Sequence, residues 1–156
     1  GDSTLCGIQQ NRLSKDGTII VRALPGAVIR DLYDHLEAFM QKKPSSLILH
    51  IGTNETGDKD ADEILYEILQ LKAYLTQRFD IPVTVSCPTV RTDNSKARNC
   101  ISLLREKLCR LSIPLIVNDN IKEDCLGREG KHPGLHLNPK GSGRLAMNIQ
   151  SFIRKR

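Results

Sequence analysis

The sequence predicts an α/β fold in which a parallel sheet carries helices on both faces. Apolar, β-branched runs of five or six residues alternate with amphipathic segments along the chain. The runs are nearly continuous, as is typical of strands that are buried on both faces. The strand–helix unit occurs four times in succession, and this order is characteristic of a parallel sheet.

The predicted strands are the runs "TIIVRA", "SLILHI", "IPVTVS" and "IPLIV", at residues 18–23, 46–51, 81–86 and 113–117. Each is followed by a stripe of apolar residues at helical spacing, which we interpret as the core face of a helix. The last helix is expected to begin at Asn138 and Pro139, which suit a cap and a first turn. The four stripes are Ile29, Leu32, Leu36 and Phe39; Ile64, Ile68, Leu71, Leu75 and Phe79; Ala97, Ile101, Leu104, Leu108 and Leu111; and Leu145, Ile149 and Phe152.

Length and composition suit a soluble globular domain. The chain has 156 residues, of which 39% are hydrophobic and 26% charged, and this length suits one domain. No apolar run approaches the roughly 20 residues of a membrane-spanning helix. The chain begins inside a motif, so we expect residues 1–156 to be a single domain excised from a longer protein.

The charge balance is basic, with 23 Lys and Arg against 18 Asp and Glu and a net charge of +5. This charge favours approach to an anionic surface, but apart from the terminal "RKR" the basic residues are dispersed. Only six residues are aromatic and none is Trp, which leaves few platforms for stacking bases. Nucleic-acid binding by this domain alone is therefore not expected.

The five cysteines indicate a reducing compartment. Their number is odd and no CxxC pair occurs, which argues against zinc. Cys100 and Cys109 lie in a helical pattern and are expected to be buried thiols. Carboxylates and histidines do not cluster at metal spacing either, so we expect no metal and no cofactor. The cysteine content leads us to expect an intracellular, cytoplasmic location.

Functional groups should collect at one edge of the sheet, in the loops that follow the carboxyl ends of the strands. These loops are "ALPGA", "GTNE", "CPTVRTDN" and "NDN". "GDST" at the start of the chain has no strand before it, although a nucleophile on a strand-to-helix turn needs one. We therefore expect a first strand upstream of residue 1.

Four short segments together suit serine hydrolysis, which needs a nucleophile, a base and donors for an oxyanion. "GDST" offers Ser3, and "HPGLHLNPKG" offers His136 as a base. Gly26 offers a bare backbone N–H, and Asn54 offers a side-chain amide. Each has a simpler alternative: Pro25–Gly26 is a common turn, and Asn54 could cap a helix.

This ensemble resembles the SGNH (GDSL-type) hydrolases, whose characteristic Ser, Gly, Asn and His occur here in the same order. "GTNE" matches the family's GxND block with Glu55 in place of Asp, and "GLHLNPKGSGRLA" is similar to its last block. The resemblance implies a flavodoxin-like three-layer sandwich with a five-stranded parallel sheet. It also implies that Ser3 and His136 are catalytic, and that Ser3, Gly26 and Asn54 form the oxyanion hole.

More narrowly, "LILHIGTNE" and "GLHLNPKGSGRLAMNI" resemble the esterase-like domain in the first open-reading-frame protein of LINE-type retrotransposons. Small acetylhydrolases related to those that act on platelet-activating factor are also similar. The first resemblance implies a longer parent protein, with nucleic-acid binding and self-association in other segments. The partners expected of this domain are a small acyl ester or lipid, contact with a membrane surface, and an oligomer.

One position departs from the family pattern. The last block normally reads DxxH, and here Pro133 stands where the Asp would orient the histidine. A backbone carbonyl in "GKHPG" could orient His136 instead, or Asp124, Glu129 or His132 could fold inward. The sequence leaves these alternatives open.

The sequence thus predicts a serine esterase that cleaves small acyl esters, acetyl-type or lipid-linked, through an acyl-enzyme. Two alternatives come from other classes. Pro133 could mark lost catalysis in a domain that binds a lipid or a partner protein, or the domain could serve in assembly of a retroelement particle.

Overall fold

The computed structural model describes residues 1–14, 18–129 and 132–155. Within these residues the regular elements are three strands and five α-helices, with short 3₁₀ turns between them. The strands are β1 (Leu47–His50), β2 (Val83–Ser86) and β3 (Leu115–Ile116). The helices are α1 (Gln10–Leu13), α2 (Leu32–Met40), α3 (Ala61–Phe79), α4 (Ser95–Cys109) and α5 (Pro139–Ile153).

The three strands form a parallel sheet in the order β1-β2-β3. His50 at the end of β1 pairs with Ser86 at the end of β2, and Ser86 pairs with Ile116 of β3. Every residue of β2 is buried, as its continuous apolar run predicts for a central strand. The carboxyl ends of all three strands therefore lie in register at one edge of the sheet.

Helices cover both faces of this sheet and make three layers. On one face, α2, α3 and α4 pack against β1 and β2 around fully buried residues such as Ile68 and Leu104. On the other face, α5 packs its Leu145 and Ile149 against Ile116 and against Leu5 near the chain start. The predicted fold class is confirmed. The predicted apolar stripes lie on helices that cover the sheet, except that Ile29 is in the 3₁₀ turn before α2 and Leu111 lies just beyond α4.

Side-chain caps fix where the long helices begin. Asp60 accepts hydrogen bonds from the backbone N–H groups of Asp62 and Glu63, and the Glu63 carboxylate accepts one from the Asp60 N–H. Asn138 accepts from the Gly141 N–H at 3.0 Å, with Pro139 in the first turn of α5. These contacts satisfy amide groups that a helix start leaves open, and they confirm the predicted start of α5.

The described sheet has three strands, because one of the four strands predicted within the chain is missing. The fifth strand, expected upstream of residue 1, stays a prediction. Residues 18–23 have no strand partner, although their side chains alternate: Ile19 and Val21 pack beneath α5, and Ile20 is exposed. The backbone of Gly1 donates to the Arg22 carbonyl at 2.8 Å and accepts from the Leu24 N–H at 2.8 Å. Because only Gly1 and Asp2 lie between this segment and β1 in the described chain, no ladder forms there.

The thiol prediction is wrong for Cys109, which is exposed, and Cys100 is only partly buried. The buried stripe of α4 ends on Leu108, and the next residue along a helix points about 100° away. Cys87 and Cys125 are the buried thiols of the described chain. Among the described residues, no helix is long and apolar enough to span a bilayer.

Two adjacent leucines of α4 provide a test of this packing. Leu104 is fully buried, and its neighbour Leu103 is 45% exposed. We expect Leu104→Ala to lower the free energy of unfolding by about 2–5 kcal/mol, because it leaves a cavity between α3, α4 and the sheet. Leu103→Ala should change it by no more than about 0.5 kcal/mol. Urea denaturation of both variants checks the difference, and equal losses would contradict the packing of α4.

Candidate active site

A short 3₁₀ turn, Ser3–Gly7, carries Ser3 at its first position. The Asp2 carboxylate caps the turn, since its Oδ1 accepts from the Thr4 N–H at 3.0 Å and from the Thr4 hydroxyl at 2.5 Å. The Asp2 N–H donates to the His50 carbonyl at 3.0 Å, which fixes the turn to the end of β1. Ser3 is partly exposed on this anchored turn, while Asp2 and Thr4 are buried.

Gly26 lies in a tight turn in which the Ala27 N–H donates to the Leu24 carbonyl at 3.2 Å. Its φ is +76°, and Pro25 precedes it, which together are typical of a type II turn. A Cβ at Gly26 would meet nothing within 4 Å. Glycine is therefore favoured here by the backbone conformation, and the space where a side chain would stand is open.

The loop after β1 holds this turn in place through two adjacent side chains. The Asn54 Nδ2 donates to the Ala27 carbonyl at 2.7 Å, and the Glu55 Oε1 accepts from the Ile29 N–H. Glu55 is only 3% exposed. We call these two contacts the loop clamp. The clamp uses one amide hydrogen of Asn54, and the second has no partner among the described residues.

The structure brings the Ser3, Gly26 and Asn54 loops to the same place. Gly1 is hydrogen-bonded to Leu24, and Asp2 is hydrogen-bonded to His50. The three chain segments therefore leave adjacent positions at the carboxyl edge of the sheet, and the loop clamp ties the second to the third. This is the convergence that the order of strands and loops predicts.

His136 lies just before α5, in a turn whose backbone is fixed. Its carbonyl accepts from the Gly127 N–H at 2.8 Å, and Leu137 forms an antiparallel bridge with Leu126. The Ser3–Gly7 turn packs against the start of α5, where Gly7 is too close to Ser142 to accommodate a Cβ. The imidazole of His136 is exposed, and it forms no hydrogen bond with Ser3 or with any other described residue.

None of the proposed orienters of His136 is hydrogen-bonded to it in the described chain. Asp124 is half exposed and pairs with Lys140 at 2.5 Å, which together with nearby Arg144 lowers the pKa of its carboxyl. His132, Pro133 and Glu129 are exposed, and the His132 ring stands edge-on to the His136 ring with centroids 6.4 Å apart. Within the segment 130–133 expected to supply a carbonyl, Gly130 and Lys131 lie outside the described residues.

Arg91 is a structural element of this edge that the sequence analysis missed. Its guanidinium donates to the Thr53 carbonyl at 3.0 Å and to the Thr56 hydroxyl at 2.9 Å. The same group forms a two-pronged pair with Asp93, at 2.7 and 2.5 Å, which holds the pKa of that carboxyl below its usual range. The sequence predicts the loop "CPTVRTDN" at this edge, but no sequence motif marks the single arginine within it as a structural residue.

The described residues offer no metal site. No three His, Cys, Asp or Glu side chains in the described ranges are grouped so that they could hold a metal ion. A cavity of about 350 Å³ opens beside the turn before His136 and is lined by Thr92, Asp124, Leu126 and Gly134, among others. Ser3, Gly26, Asn54 and His136 do not line it, so we do not assign a substrate to this cavity.

Solved structures of lipases, acylhydrolases and esterases share this fold. The lipase/acylhydrolase from Enterococcus faecalis is 16% identical with a TM-score of 0.73, over 100% of this chain and 93% of that chain. A carbohydrate acetylesterase family member from Sinorhizobium meliloti is 15% identical with a TM-score of 0.71, over 98% and 84%. A GDSL-like lipase from Bacteroides thetaiotaomicron is 16% identical with a TM-score of 0.68, over 99% and 85%.

At these identities the similarity shows the fold alone, which this chain shares with GDSL-type hydrolases. No protein-family model matches the sequence. No curated protein matches it either.

The buried carboxyl of the loop clamp gives a prediction about pH. Burial raises the pKa of Glu55, against the opposing hydrogen bond from the Ile29 N–H. The folded state therefore binds this proton more tightly than the unfolded state does. The resulting contribution to the free energy of unfolding is complete below the ordinary glutamate pKa, and it is lost as the pH rises through the higher pKa of the folded state. Gln at this position can still accept from Ile29 and does not titrate.

We therefore expect the stability of Glu55→Gln relative to the unsubstituted chain to increase between about pH 4 and about pH 8. Urea denaturation at several pH values measures this difference. Glu106→Gln, on the exposed face of α4, is the control and should show no such trend. A pH-independent difference for Glu55→Gln would mean that the carboxyl titrates alike in both states.

Proposed function

We propose that the chain is a serine esterase of the SGNH type, with Ser3 as nucleophile and His136 as base. One observation carries the proposal: the loop clamp holds the Gly26 turn and the Asn54 amide beside the capped turn that presents Ser3. A nucleophile next to several fixed N–H donors is the arrangement that acyl transfer requires. The fold shared with lipases and esterases agrees with this reaction class.

In the proposed reaction, the Ser3 hydroxyl attacks the acyl carbonyl carbon while His136 takes the hydroxyl proton. The carbonyl oxygen becomes an oxyanion that accepts from the N–H groups of Ser3 and Gly26 and from the free amide hydrogen of Asn54. The ester bond breaks, and His136 gives its proton to the leaving alcohol. Water then attacks the acyl-Ser3 ester in the same way and releases the carboxylic acid.

This scheme requires the His136 imidazole to come within hydrogen-bond distance of Ser3 when substrate binds. Catalytic hydrogen bonds are often long without substrate and shorten in the complex, and an exposed imidazole is free to rotate. We expect acetyl-type esters to be the preferred class, because the chain has only six aromatic residues with which to line a long acyl groove. The proposed kinship with retroelement esterase-like domains rests on the sequence resemblance alone.

A second candidate function is binding of a lipid or partner protein without turnover. The observation that favours it is the His136 imidazole, which has no carboxylate or carbonyl partner among the described residues. In serine proteases, replacing the carboxylate that orients the histidine costs about 10⁴ in rate. Liposome flotation distinguishes a lipid-binding domain from a domain that binds protein, and the next experiment distinguishes both from an enzyme.

Replacement of Ser3 provides the direct test of the proposed reaction. The unsubstituted chain should hydrolyse p-nitrophenyl acetate and become covalently labelled by a fluorophosphonate, and Ser3→Ala should abolish both with no loss of stability. Ser112→Ala, in the exposed turn after α4, is the matched control and should retain both. Turnover that survives Ser3→Ala would remove Ser3 from the mechanism, and a chain that neither turns over nor is labelled would favour binding.

Asn54 should affect rate and stability separately. Asn54→Ala removes one proposed oxyanion donor, which typically costs roughly 10²–10³ in kcat. It also removes the bond to the Ala27 carbonyl, which should cost about 1 kcal/mol in unfolding free energy. Asn99→Ala, on the exposed face of α4, should change neither. An unchanged kcat with lowered stability would reduce Asn54 to a structural residue.

A further inference from the structure

A buried polar network beneath Ser3 is not used by the proposed reaction. His50 is 1% exposed, and its Nδ1 lies 3.0 Å from the Ser86 Oγ. The Asn118 Nδ2 donates to the same Oγ at 3.0 Å and to the Cys87 carbonyl at 2.6 Å. Asn148 of α5 in turn donates to the Asn118 Oδ1 at 2.9 Å. The network therefore joins the ends of β1 and β2 to the loop after β3 and to α5.

The network determines where the His50 proton lies. The Cys87 carbonyl only accepts, so the Asn118 amide must face it with Nδ2, and the second Nδ2 hydrogen goes to the Ser86 Oγ. The Ser86 hydroxyl therefore already accepts a bond, and its own hydrogen has one acceptor among the described residues, the His50 Nδ1. If Nδ1 accepts, the neutral imidazole carries its proton on Nε2.

Two atoms beside this network are buried and lack a partner among the described residues. They are the His50 Nε2 and the Asp2 Oδ2. One is a donor by the argument above and the other is an acceptor, and the backbones of the two residues are hydrogen-bonded at 3.0 Å. Leaving a buried donor and a buried acceptor unpaired is costly in free energy, so a hydrogen-bonded link between them is strongly favoured.

We infer that His50 is a positioning residue for the Ser3 turn, because its Nε2–H donates to one buried water that in turn donates to the Asp2 Oδ2. Asp2 would then be held at both oxygens, since its Oδ1 already caps the turn through Thr4. A carboxylate fixed at both ends fixes the backbone of the turn, and with it the direction of the Ser3 N–H and the position of the Ser3 Cβ. The effect of this contact on turnover rests on the proposed function, whereas the contact itself does not.

Electrostatics around the ring agree with a neutral imidazole. Burial lowers the pKa of His50. The Asp2 carboxylate acts oppositely but is the smaller influence than burial. A neutral ring at neutral pH can accept at Nδ1 and donate at Nε2, whereas a charged ring would donate at both.

The tautomer can be measured directly by ¹⁵N NMR of the imidazole, with the His50 signals assigned by their absence in a His50 variant. We expect a neutral ring with the proton on Nε2 at neutral pH. A ring protonated on Nδ1, or charged at neutral pH, would overturn the inference. This measurement needs no substrate and no activity.

Two substitutions of His50 distinguish the role of Nε2 from that of Nδ1. In His50→Gln the amide nitrogen can occupy roughly the Nε2 position and donate to the buried water that binds Asp2, whereas His50→Asn reaches only as far as Nδ1. Amide hydrogen exchange at Thr4 provides the readout, with Leu71 in the core of α3 as an internal reference. We expect exchange at Thr4 to accelerate on the order of tenfold or more in the Asn variant and to stay near the unsubstituted rate in the Gln variant, because a tenfold change corresponds to one modest hydrogen bond.

Turnover of p-nitrophenyl acetate should follow the same order. The Asn variant should lose on the order of tenfold in kcat with little change in KM, and the Gln variant should keep most of its activity. Equal exchange at Thr4 in both variants would overturn the positioning role. If the unsubstituted chain shows neither turnover nor labelling of Ser3, the proposed function fails, while the tautomer and the Thr4 exchange still decide the His50 contact. If both variants fail to fold, the tautomer of the unsubstituted chain decides it alone.

Discussion

The parallel pairing of His50 with Ser86 is the contact on which the rest of this structure depends. It sets β1 and β2 in register, so that both strands end side by side at the carboxyl edge of the sheet. Asp2 is attached to this edge by its hydrogen bond to the His50 carbonyl, and Asn118 by its hydrogen bond to the Ser86 hydroxyl. A slip of one residue between the two strands would put His50 and Ser86 on opposite faces of the sheet, and neither the buried network nor the convergence of the loops would survive it.

The loops at this edge of the sheet are joined to one another largely by side chains that bond to backbone groups. Asn54 and Glu55 bind the segment after Gly26, and Arg91 binds the carbonyl of Thr53. Backbone groups are present whatever the local sequence, so such contacts tolerate changes in the side chains around them. The longer Glu55, where an aspartate stands in the family pattern, still reaches the Ile29 N–H because it lies buried against the turn that it binds.

The fold class was predictable because it depends on periodicity, and periodicity survives in a single sequence. The apolar stripes of α3, α4 and α5 and the buried run of β2 all lie where the spacing placed them. The segment 18–23 was predicted to be a strand because its side chains alternate, but a strand also needs a neighbour, and its own residues carry no information about that neighbour. The loops of the candidate site were predictable from strand order, whereas Arg91, Ser86 and Asn118 act through contacts between distant segments that no local pattern encodes.

The outer strand β3 has a consequence for association between molecules. It pairs for only two residues, Pro114 precedes it, and the exposed Val117 alone separates its carboxyl end from the buried Asn118. In the described chain its outer side thus offers few N–H and C=O groups in an extended row, and a short edge next to a proline is a poor template for a strand from another copy. The edge of the sheet farthest from Ser3 is therefore protected against edge-to-edge aggregation by its brevity, with no charged side chain needed on the strand itself.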